Sequence, residues 1–310
     1  MKKLIIITGY NSFIGQNLRK NKTFKDDIVY IKSPRKITTS SFELELRSIE
    51  HKIDLSRYDL IVFLHLASYT SYLKQDRQQE MLSLQFTREL IDKVSLLNLK
   101  VPATILHTST IGVIEKRNPL KFWHAANKRK SEVYASSSYG RMKIEMENII
   151  NDFAYSANLR LGWIYGPGMR KNSHIYWIMQ SVRKGKFWTK IEWPGILNPL
   201  HVEDFCLILS KIIESVSVPS DIIRFKDAVI AGGQQLSFTD LFKKIDPQYA
   251  GYFIVPRFLQ KSKLLQLGPI KLQGMIGNIY GLQSSSQIKV LQDFENKNLA
   301  LALNQLEETV

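Results

Sequence analysis

The sequence predicts an α/β protein with a doubly wound parallel sheet, and three observations indicate this fold. Short runs of aliphatic residues recur along the first third of the chain, helical segments separate them, and a glycine-bearing turn follows the first run. Runs that are apolar throughout are typical of strands buried on both faces of a parallel sheet. The strands are expected at residues 4–7, 28–31, 59–64 and 103–107, with helices at 16–23 and 81–97.

The turn after the first strand is the first candidate site. Residues 8–15 read Thr-Gly-Tyr-Asn-Ser-Phe-Ile-Gly, and the helical pattern starts directly behind them. Backbone N–H groups and the helix dipole favour a phosphate at such a helix N-terminus. We therefore predict a pyrophosphate site, the alternative being an ordinary strand-turn-helix whose glycines serve the turn alone. The residues that would form the site are Gly9, Asn11, Ser12, Phe13, Ile14 and Gly15.

The loop after the second strand distinguishes between two dinucleotides. In such folds a carboxylate at this position binds the ribose hydroxyls of NAD, whereas a nearby arginine accommodates the 2′-phosphate of NADP. Here the chain continues Lys-Ser-Pro-Arg-Lys over residues 32–36, without a carboxylate. We predict that Lys32 and Arg35 bind a 2′-phosphate and that the cofactor is NADP, with NAD as the alternative.

A later strand and helix carry residue types suited to acid–base chemistry. The strand at 103–107 leads to Thr110 at its carboxyl end. Further along the chain, Tyr139 and Lys143 stand four residues apart in a helical pattern, so they share one face of the helix. A phenol has an ordinary pKa near 10, and an adjacent ammonium favours the phenolate. Tyr139 is therefore predicted to be a general acid or base, with Thr110 hydrogen-bonded to the same substrate oxygen.

These motifs, in this order, resemble the extended short-chain dehydrogenases, the branch of that family that modifies nucleotide-activated sugars. The family carries Thr-Gly-x-x-Gly-x-x-Gly at residues 8–15, where a serine replaces the middle glycine, and a run similar to residues 65–68. Its Tyr-x-x-x-Lys pair with a preceding Ser or Thr matches Tyr139, Lys143 and Thr110. The resemblance therefore implies that these three residues are catalytic.

The resemblance also implies a division of the chain into two parts. A Rossmann domain for dinucleotide binding is expected at residues 1–164 plus about 200–231. A smaller, mixed C-terminal lobe for the substrate is expected at about 165–199 plus 232–310. In that lobe, Ser237 is predicted to be the N-cap of a helix.

Further site residues follow from the same resemblance. The backbone of Leu66 and Ala67 is expected to line the cofactor. Residues 159–168 are similar to the family's strand that ends in Tyr-Gly-Pro, which implies that Trp163 and Tyr165 border the substrate. For each of these two aromatic residues, a place in the core is the alternative.

The first hypothesis for function is reduction of a 4-keto-hexose group on a nucleotide-activated sugar, in the synthesis of a surface-polysaccharide precursor. NADPH would deliver the hydride, Tyr139 would protonate the oxygen, and Lys143 would also bind the nicotinamide ribose. The alternatives are a 4-epimerase that keeps NAD bound and a non-catalytic dinucleotide-binding sensor or scaffold. Ile111 and Gly112 stand where family dehydratases carry Asp-Glu, which argues against a 4,6-dehydratase.

The composition limits partners and compartment. The net charge is +15, with a pI near 9.7, but no basic block is interleaved with aromatic residues as a nucleic-acid site requires. Cys206 is the only cysteine, which excludes an internal disulfide and a zinc cluster, so no metal site is expected. The first apolar run is too short for a signal peptide, and no run reaches the roughly 18 residues of a membrane span. We therefore expect a cytoplasmic protein.

Two expectations concern surfaces. Residues 256–282 are apolar with interspersed Lys and Gly, and we interpret them as substrate-lobe helices, the alternative being an interfacial helix on an anionic membrane surface. The family resemblance implies a homodimer through the helices around residues 81–97 and 139–152.

Overall fold

The computed structural model describes residues 1–31, 53–68, 76–113, 135, 137–171, 173–192, 196–197, 199–232, 236–250 and 253–254. These residues form two compact units. The first unit lies within Met1–Glu115, Val133–Leu161 and Cys206–Ile230. The second lies within Lys116–Glu132, Gly162–Phe205 and Ala231–Val310.

A parallel sheet forms the centre of the first unit. Among the described residues it has six strands, in the spatial order β10-β5-β4-β3-β1-β2, and every neighbouring pair is parallel. The strand order runs in opposite directions on either side of β1, as a doubly wound sheet requires, so the predicted fold class is confirmed. The strands are β1 Lys3–Thr8, β2 Asp27–Ile31, β3 Leu60–His65, β4 Ala103–Thr110, β5 Ser156–Leu161 and β10 Ala228–Ile230.

Helices cover this sheet, and their apolar faces match it. The first unit contains α1 Phe13–Lys20, α2 Arg77–Asn98, α3 Ser138–Asn151 and the larger part of α5 Val202–Ser215. In α2 the residues Phe86, Leu90 and Val94 recur at intervals of four and pack in one buried cluster with Ile6 and Phe63 of the strands. Asp76 caps this helix by accepting a hydrogen bond from the backbone N–H of Gln79, at 3.1 Å. The helix predicted at 81–97 is therefore present, with an additional turn at its start.

The second unit is built from smaller elements around an aromatic cluster. Its helices are α4 His174–Arg183 and α6 Phe238–Ile245, together with the first residues of α5. Ser237 caps α6 as predicted, accepting the Asp240 N–H at 3.0 Å. The Trp177 and Trp188 rings stack at 4.6 Å with an angle of 6° between their planes. Short strand pairs complete the unit: β6 Ile164–Tyr165 with β9 Leu200–His201, β8 Ile196–Leu197 with β11 Leu236–Ser237, and β7 Ile191–Glu192 with β12 Phe253–Ile254.

Three sequence predictions fall on parts of the chain outside the described residues: Lys32, Arg35 and residues 256–282. Over the ranges that are described, each helix is too short or too polar to cross a bilayer.

A buried lysine joins the start of the sheet to the end of α5. Lys3 is 5% exposed, and its Nζ donates to the carbonyl oxygens of Ile213 at 2.6 Å and Glu214 at 3.1 Å. The last carbonyls of a helix have no partner within the helix, and a cation is favoured beside them. The Lys3 ammonium therefore supplies both the hydrogen bonds and the charge that this helix end needs.

We expect Lys3→Met to lower the free energy of unfolding by about 1–3 kcal/mol, because the buried Ile213 carbonyl and the part-buried Glu214 carbonyl lose a charged donor. Urea unfolding at neutral pH measures the change. Lys2→Met is the matched control, since Lys2 makes an exposed ion pair with Asp27 at 3.1 Å, and such pairs contribute about 0–1 kcal/mol. Equal effects of the two substitutions would contradict the capping role.

Candidate active site

The ends of β1 and β3 meet at the glycine turn. Gly9 has a φ of +73°, and a Cβ at this position would lie 2.7 Å from the backbone nitrogen of Ala67. A Cβ on Gly15 would lie 2.6 Å from the carbonyl oxygen of Gly9 and 2.6 Å from the Cα of Tyr10. Only glycine fits at either position, so the turn, the start of α1 and the end of β3 form a tight backbone cradle. Such a cradle lies where open α/β sheets bind their ligands.

Ser12 occupies this turn with a backbone conformation that does not require glycine. Its φ is −67°, its N–H donates to the Gly9 oxygen at 2.8 Å, and its Oγ caps α1 by accepting the Gly15 N–H at 3.1 Å. The serine that departs from the family pattern thus preserves the turn, and its hydroxyl retains one O–H donor. Its predicted neighbours in the phosphate site differ in exposure: Asn11 is exposed, whereas Phe13 and Ile14 are half-buried.

A hydrogen-bond chain fixes His65 at the end of β3. The Thr87 Oγ1 donates to the Ser83 oxygen at 2.8 Å, so it accepts from His65 Nε2, 3.2 Å away. The proton is therefore on Nε2, and His65 Nδ1 accepts from the Thr8 hydroxyl at 2.7 Å. Thr8 in turn accepts the N–H of Ala67 at 3.4 Å. The chain joins the ends of β1 and β3 and holds His65 as a neutral imidazole.

His107 lies beside His65 in β4, with 5.1 Å between the ring centroids. It is fully buried, and neither ring nitrogen has a hydrogen-bond partner among the described residues. Burial, followed by the nearby Lys143 and His65, holds the pKa of His107 well below its ordinary value, and the His65 backbone opposes this shift. Burial and the charge of Lys143 likewise lower the pKa of His65, to about 3. Both histidines are therefore uncharged at neutral pH.

The structure places the start of α3 against the end of β4. Ser137 caps α3 by accepting the Gly140 N–H at 3.0 Å, and a Cβ on Gly140 would lie 2.9 Å from the Gly112 oxygen. Gly112 in turn donates its N–H to Thr110 Oγ1 at 3.2 Å. The first turn of α3, which carries the half-buried Tyr139, therefore packs on the segment that follows Thr110.

Lys143 lies one turn further along α3. Its Nζ donates to the Thr108 carbonyl oxygen at 2.9 Å, and only 2% of the residue is exposed. Burial lowers the pKa of Lys143 to about 7, while the charge of Glu147 acts to raise it. The ammonium predicted to act on Tyr139 is therefore at the end of β4 and titrates near neutrality.

The sequence profile of the NAD dependent epimerase/dehydratase family matches residues 5–223. The chain belongs to this family. The predicted resemblance to the extended short-chain dehydrogenases is thereby confirmed. No curated protein matches the chain by sequence.

The solved structures that are similar to this family member include the following three. UDP-glucuronic acid 4-epimerase from Bacillus cereus, in complex with UDP-glucuronic acid and NAD, has a TM-score of 0.60 at 17% identity, covering 99% of this chain and 98% of that chain. TunA, an NAD dependent NDP-hexosamine 5,6-dehydratase, gives 0.59 at 17% identity, with 99% and 98% covered. RMD from Pseudomonas aeruginosa, complexed with NADPH, gives 0.57 at 16% identity, with 82% and 86% covered. At these identities the likeness shows the fold.

The residues at the strand ends fit a dinucleotide of the kind that the family name implies. The cradle at Gly9 and Gly15 brings backbone close to any bound phosphate. Ser109 Oγ is buried, and within the described part of the chain it has no hydrogen-bond partner. Of the three donors on the Lys143 ammonium, one is directed to Thr108. Hydrogen-bonding groups for a polar ligand are therefore present at this edge of the sheet.

The two aromatic residues predicted to border the substrate lie in the second unit. Tyr165 is 3% exposed, with its ring 5.2 Å from that of His201. Burial and the charge of Asp204 raise the pKa of Tyr165, so its phenol stays protonated. Trp163 is half-buried and packs edge-on against Phe238 at 5.8 Å. Both belong to the aromatic cluster, and their role toward a substrate stays a prediction.

Sequence reasoning missed the buried histidine pair and the ion pair between Glu147 and Arg160. His107 had a signal, a polar ring directly after the aliphatic residues Ile105 and Leu106 of a predicted strand. Glu147 also had one, since it follows Lys143 at the four-residue spacing that links Tyr139 to Lys143. No sequence signal indicated that Arg160 is the partner of Glu147, because Arg160 lies in β5 and Glu147 lies in α3.

We expect His107→Phe to stabilise the protein in acid. Below a pH of about 6.5 the unfolded chain protonates His107 while the folded protein does not, so stability is lost as the pH falls. The variant removes this loss, roughly 2 kcal/mol at about pH 5, and about 1 kcal/mol more from unpaired polar atoms. Urea unfolding at about pH 5 and pH 7.5 measures both contributions.

His65→Phe is the matched comparison for that substitution. It deletes two hydrogen bonds and leaves the Thr8 and Thr87 hydroxyls without their ring partner, so we expect a loss of about 2–3 kcal/mol at neutral pH. If the two variants changed stability in the same direction at neutral pH, the assignment of paired and unpaired rings would be wrong.

Proposed function

We propose that this protein is an NADP-dependent oxidoreductase that reduces the 4-keto group of a nucleotide-activated hexose, in surface-polysaccharide precursor synthesis. The observation that carries the proposal is the packing of the first turn of α3, with Tyr139, on the segment after Thr110, while Lys143 reaches the end of β4. The substrate class is supported by two similar structures, the 4-epimerase in complex with UDP-glucuronic acid and the NDP-hexosamine 5,6-dehydratase TunA.

Each of the three residues has a defined task in this proposal. A bound nicotinamide supplies hydride-transfer chemistry. Tyr139 holds the proton that the sugar oxygen receives, and Thr110 Oγ1 donates a hydrogen bond to that oxygen. The charged form of Lys143 favours loss of that proton and binds the nicotinamide ribose. Since Lys143 titrates near pH 7, its charge is available under ordinary conditions.

The NADP preference is proposed from the basic loop that contains Lys32 and Arg35, which attracts a 2′-phosphate and offers no carboxylate to a free ribose. The similar structures include complexes with NAD and with NADPH, so they support either dinucleotide.

The second candidate function is a 4-epimerase. It is favoured by a similar structure, the Bacillus cereus UDP-glucuronic acid 4-epimerase, which covers nearly the whole of both chains. An epimerase would use the same three residues with NAD that stays bound. The scaffold hypothesis has less support, because Ser12, which replaces the middle glycine of the family pattern, preserves the glycine turn.

Tyr139→Phe is expected to lower kcat/KM for a nucleotide-linked 4-keto sugar by on the order of 10²–10⁴, because the proton donor is lost. NADPH oxidation with UDP-, dTDP- and GDP-linked 4-keto-6-deoxyhexoses provides the assay. Dinucleotide affinity should stay within a few-fold, as measured by NADPH fluorescence. Tyr155→Phe is the control, since Tyr155 packs against Phe153 at the amino end of β5. Unchanged turnover in Tyr139→Phe would remove the proposed chemistry.

The reductase and the epimerase differ in what they consume. We expect the purified protein to contain little bound dinucleotide by mass spectrometry and to oxidise one NADPH for each sugar reduced. Protein that retains NAD in near-equal amount and interconverts C4 epimers without consuming NADPH would be a 4-epimerase instead. NADPH should also bind more tightly than NADH, and Arg35→Ser should reduce this difference.

A further inference from the structure

Glu147 is a buried carboxylate on α3 whose charge acts on two buried cations. Glu147 is 2% exposed and accepts two hydrogen bonds from Arg160: Nε to Oε1 at 3.1 Å and Nη2 to Oε2 at 2.7 Å. The same Arg160 nitrogen, Nη2, lies 3.3 Å from a carboxylate oxygen of Asp227. Two parallel bonds between the planar groups fix the Glu147 carboxylate in place.

The second cation is Lys143. It lies four residues before Glu147 on α3, and both are buried, so they share the helix face that packs on the sheet. Tyr139 is four residues earlier again. Tyr139, Lys143 and Glu147 therefore follow one another at intervals of four residues along one face of α3.

The groups around Lys143 differ in the charge they offer it. His65 of β3 and His107 of β4 are neutral, so neither of them balances an ammonium. Tyr139 precedes Lys143 on the same face of α3. Arg160 of β5 adds a second positive charge behind Glu147. Among the described groups, Glu147 is the anion whose charge acts on Lys143. Burial without such an anion favours the neutral amine.

We propose that Glu147 is a positioning residue for the reaction: fixed by Arg160, its carboxylate supplies the countercharge that keeps the Lys143 ammonium charged at the end of β4. The second half of this inference, its importance for turnover, rests on the proposed function. Glu147 acts through Lys143 and has no contact with substrate in this scheme.

The arginine has a separate task. A lone carboxylate at this depth would be costly to bury. Arg160 offsets that cost, because it donates to both oxygens of Glu147. Asp227, whose side chain is 40% exposed, lies beside Arg160 and offsets its positive charge.

The test is the titration of Lys143 in Glu147→Gln. The protein is labelled with ¹³C-lysine, the Cε signal is assigned with Lys143→Met, and its midpoint is followed by NMR. We expect the midpoint to fall by about one pH unit or more, since the amide keeps the shape and removes the charge. Glu145→Gln is the matched control, because Glu145 is exposed on the same helix and loses the same charge.

Turnover provides the second readout. In Glu147→Gln the alkaline limb of the kcat/KM profile for NADPH oxidation should move to lower pH by the same amount as the Lys143 midpoint. Glu147→Asp, which restores the charge, should return both toward their original values. Glu145→Gln should move neither.

A double variant guards against loss of folding. In Glu147→Gln, Arg160 keeps one of its two oxygen acceptors and loses the balancing negative charge. The double variant Glu147→Gln/Arg160→Met therefore removes this buried cation as well. The Lys143 midpoint should again fall, by less than in the single variant, because loss of the Arg160 charge acts in the opposite direction. If the midpoint stays within about 0.3 units of the wild-type value in both variants, the proposal is overturned. The NMR titration needs no turnover, so this failure is distinct from failure of the proposed reaction.

Discussion

The approach of two backbone segments, at Gly9 and Ala67, is the constraint on which the rest of the first unit depends. β1 and β3 are neighbours in the sheet, and the turns at their carboxyl ends come within van der Waals contact because Gly9 has no side chain. The buried hydrogen bond between Thr8 and His65 also joins the ends of these two strands. The glycine turn is therefore a rigid part of the sheet edge, which suits a site where a charged ligand is held by backbone N–H groups.

The same edge is unusual in how it handles charge. It buries two histidines without charging them and one lysine that titrates near neutrality. Of these, His107 lowers the stability that an apolar residue would give, because its buried ring nitrogens have no hydrogen-bond partner among the described residues. Natural proteins accept such costs at functional sites. The position of these groups, next to the segment that carries Thr110 and Tyr139, agrees with that principle.

Much of the fold could be predicted from the sequence because its signals are local. Apolar runs gave β1 to β4, the spacing of Phe86, Leu90 and Val94 gave α2, and Ser237 gave the start of α6. The family motifs also put Tyr139, Lys143 and Thr110 in one unit. The partners of these residues come from other elements: Arg160 reaches Glu147 of α3 from β5, and His107 meets His65 only because β3 and β4 pair in register. Such long-range neighbours leave no periodicity in the sequence.

The ammonium of Lys3 also has a consequence for biosynthesis. Its two carbonyl partners lie 210 and 211 residues further along the chain, and β10, an edge strand of the same sheet, begins later still. A ribosome makes the first strand of this unit long before it makes the helix end that the strand holds. Contacts that span such distances slow folding, so this unit completes its core only after most of the polypeptide has emerged. Until then, the nascent chain exposes aliphatic strands that chaperones recognise.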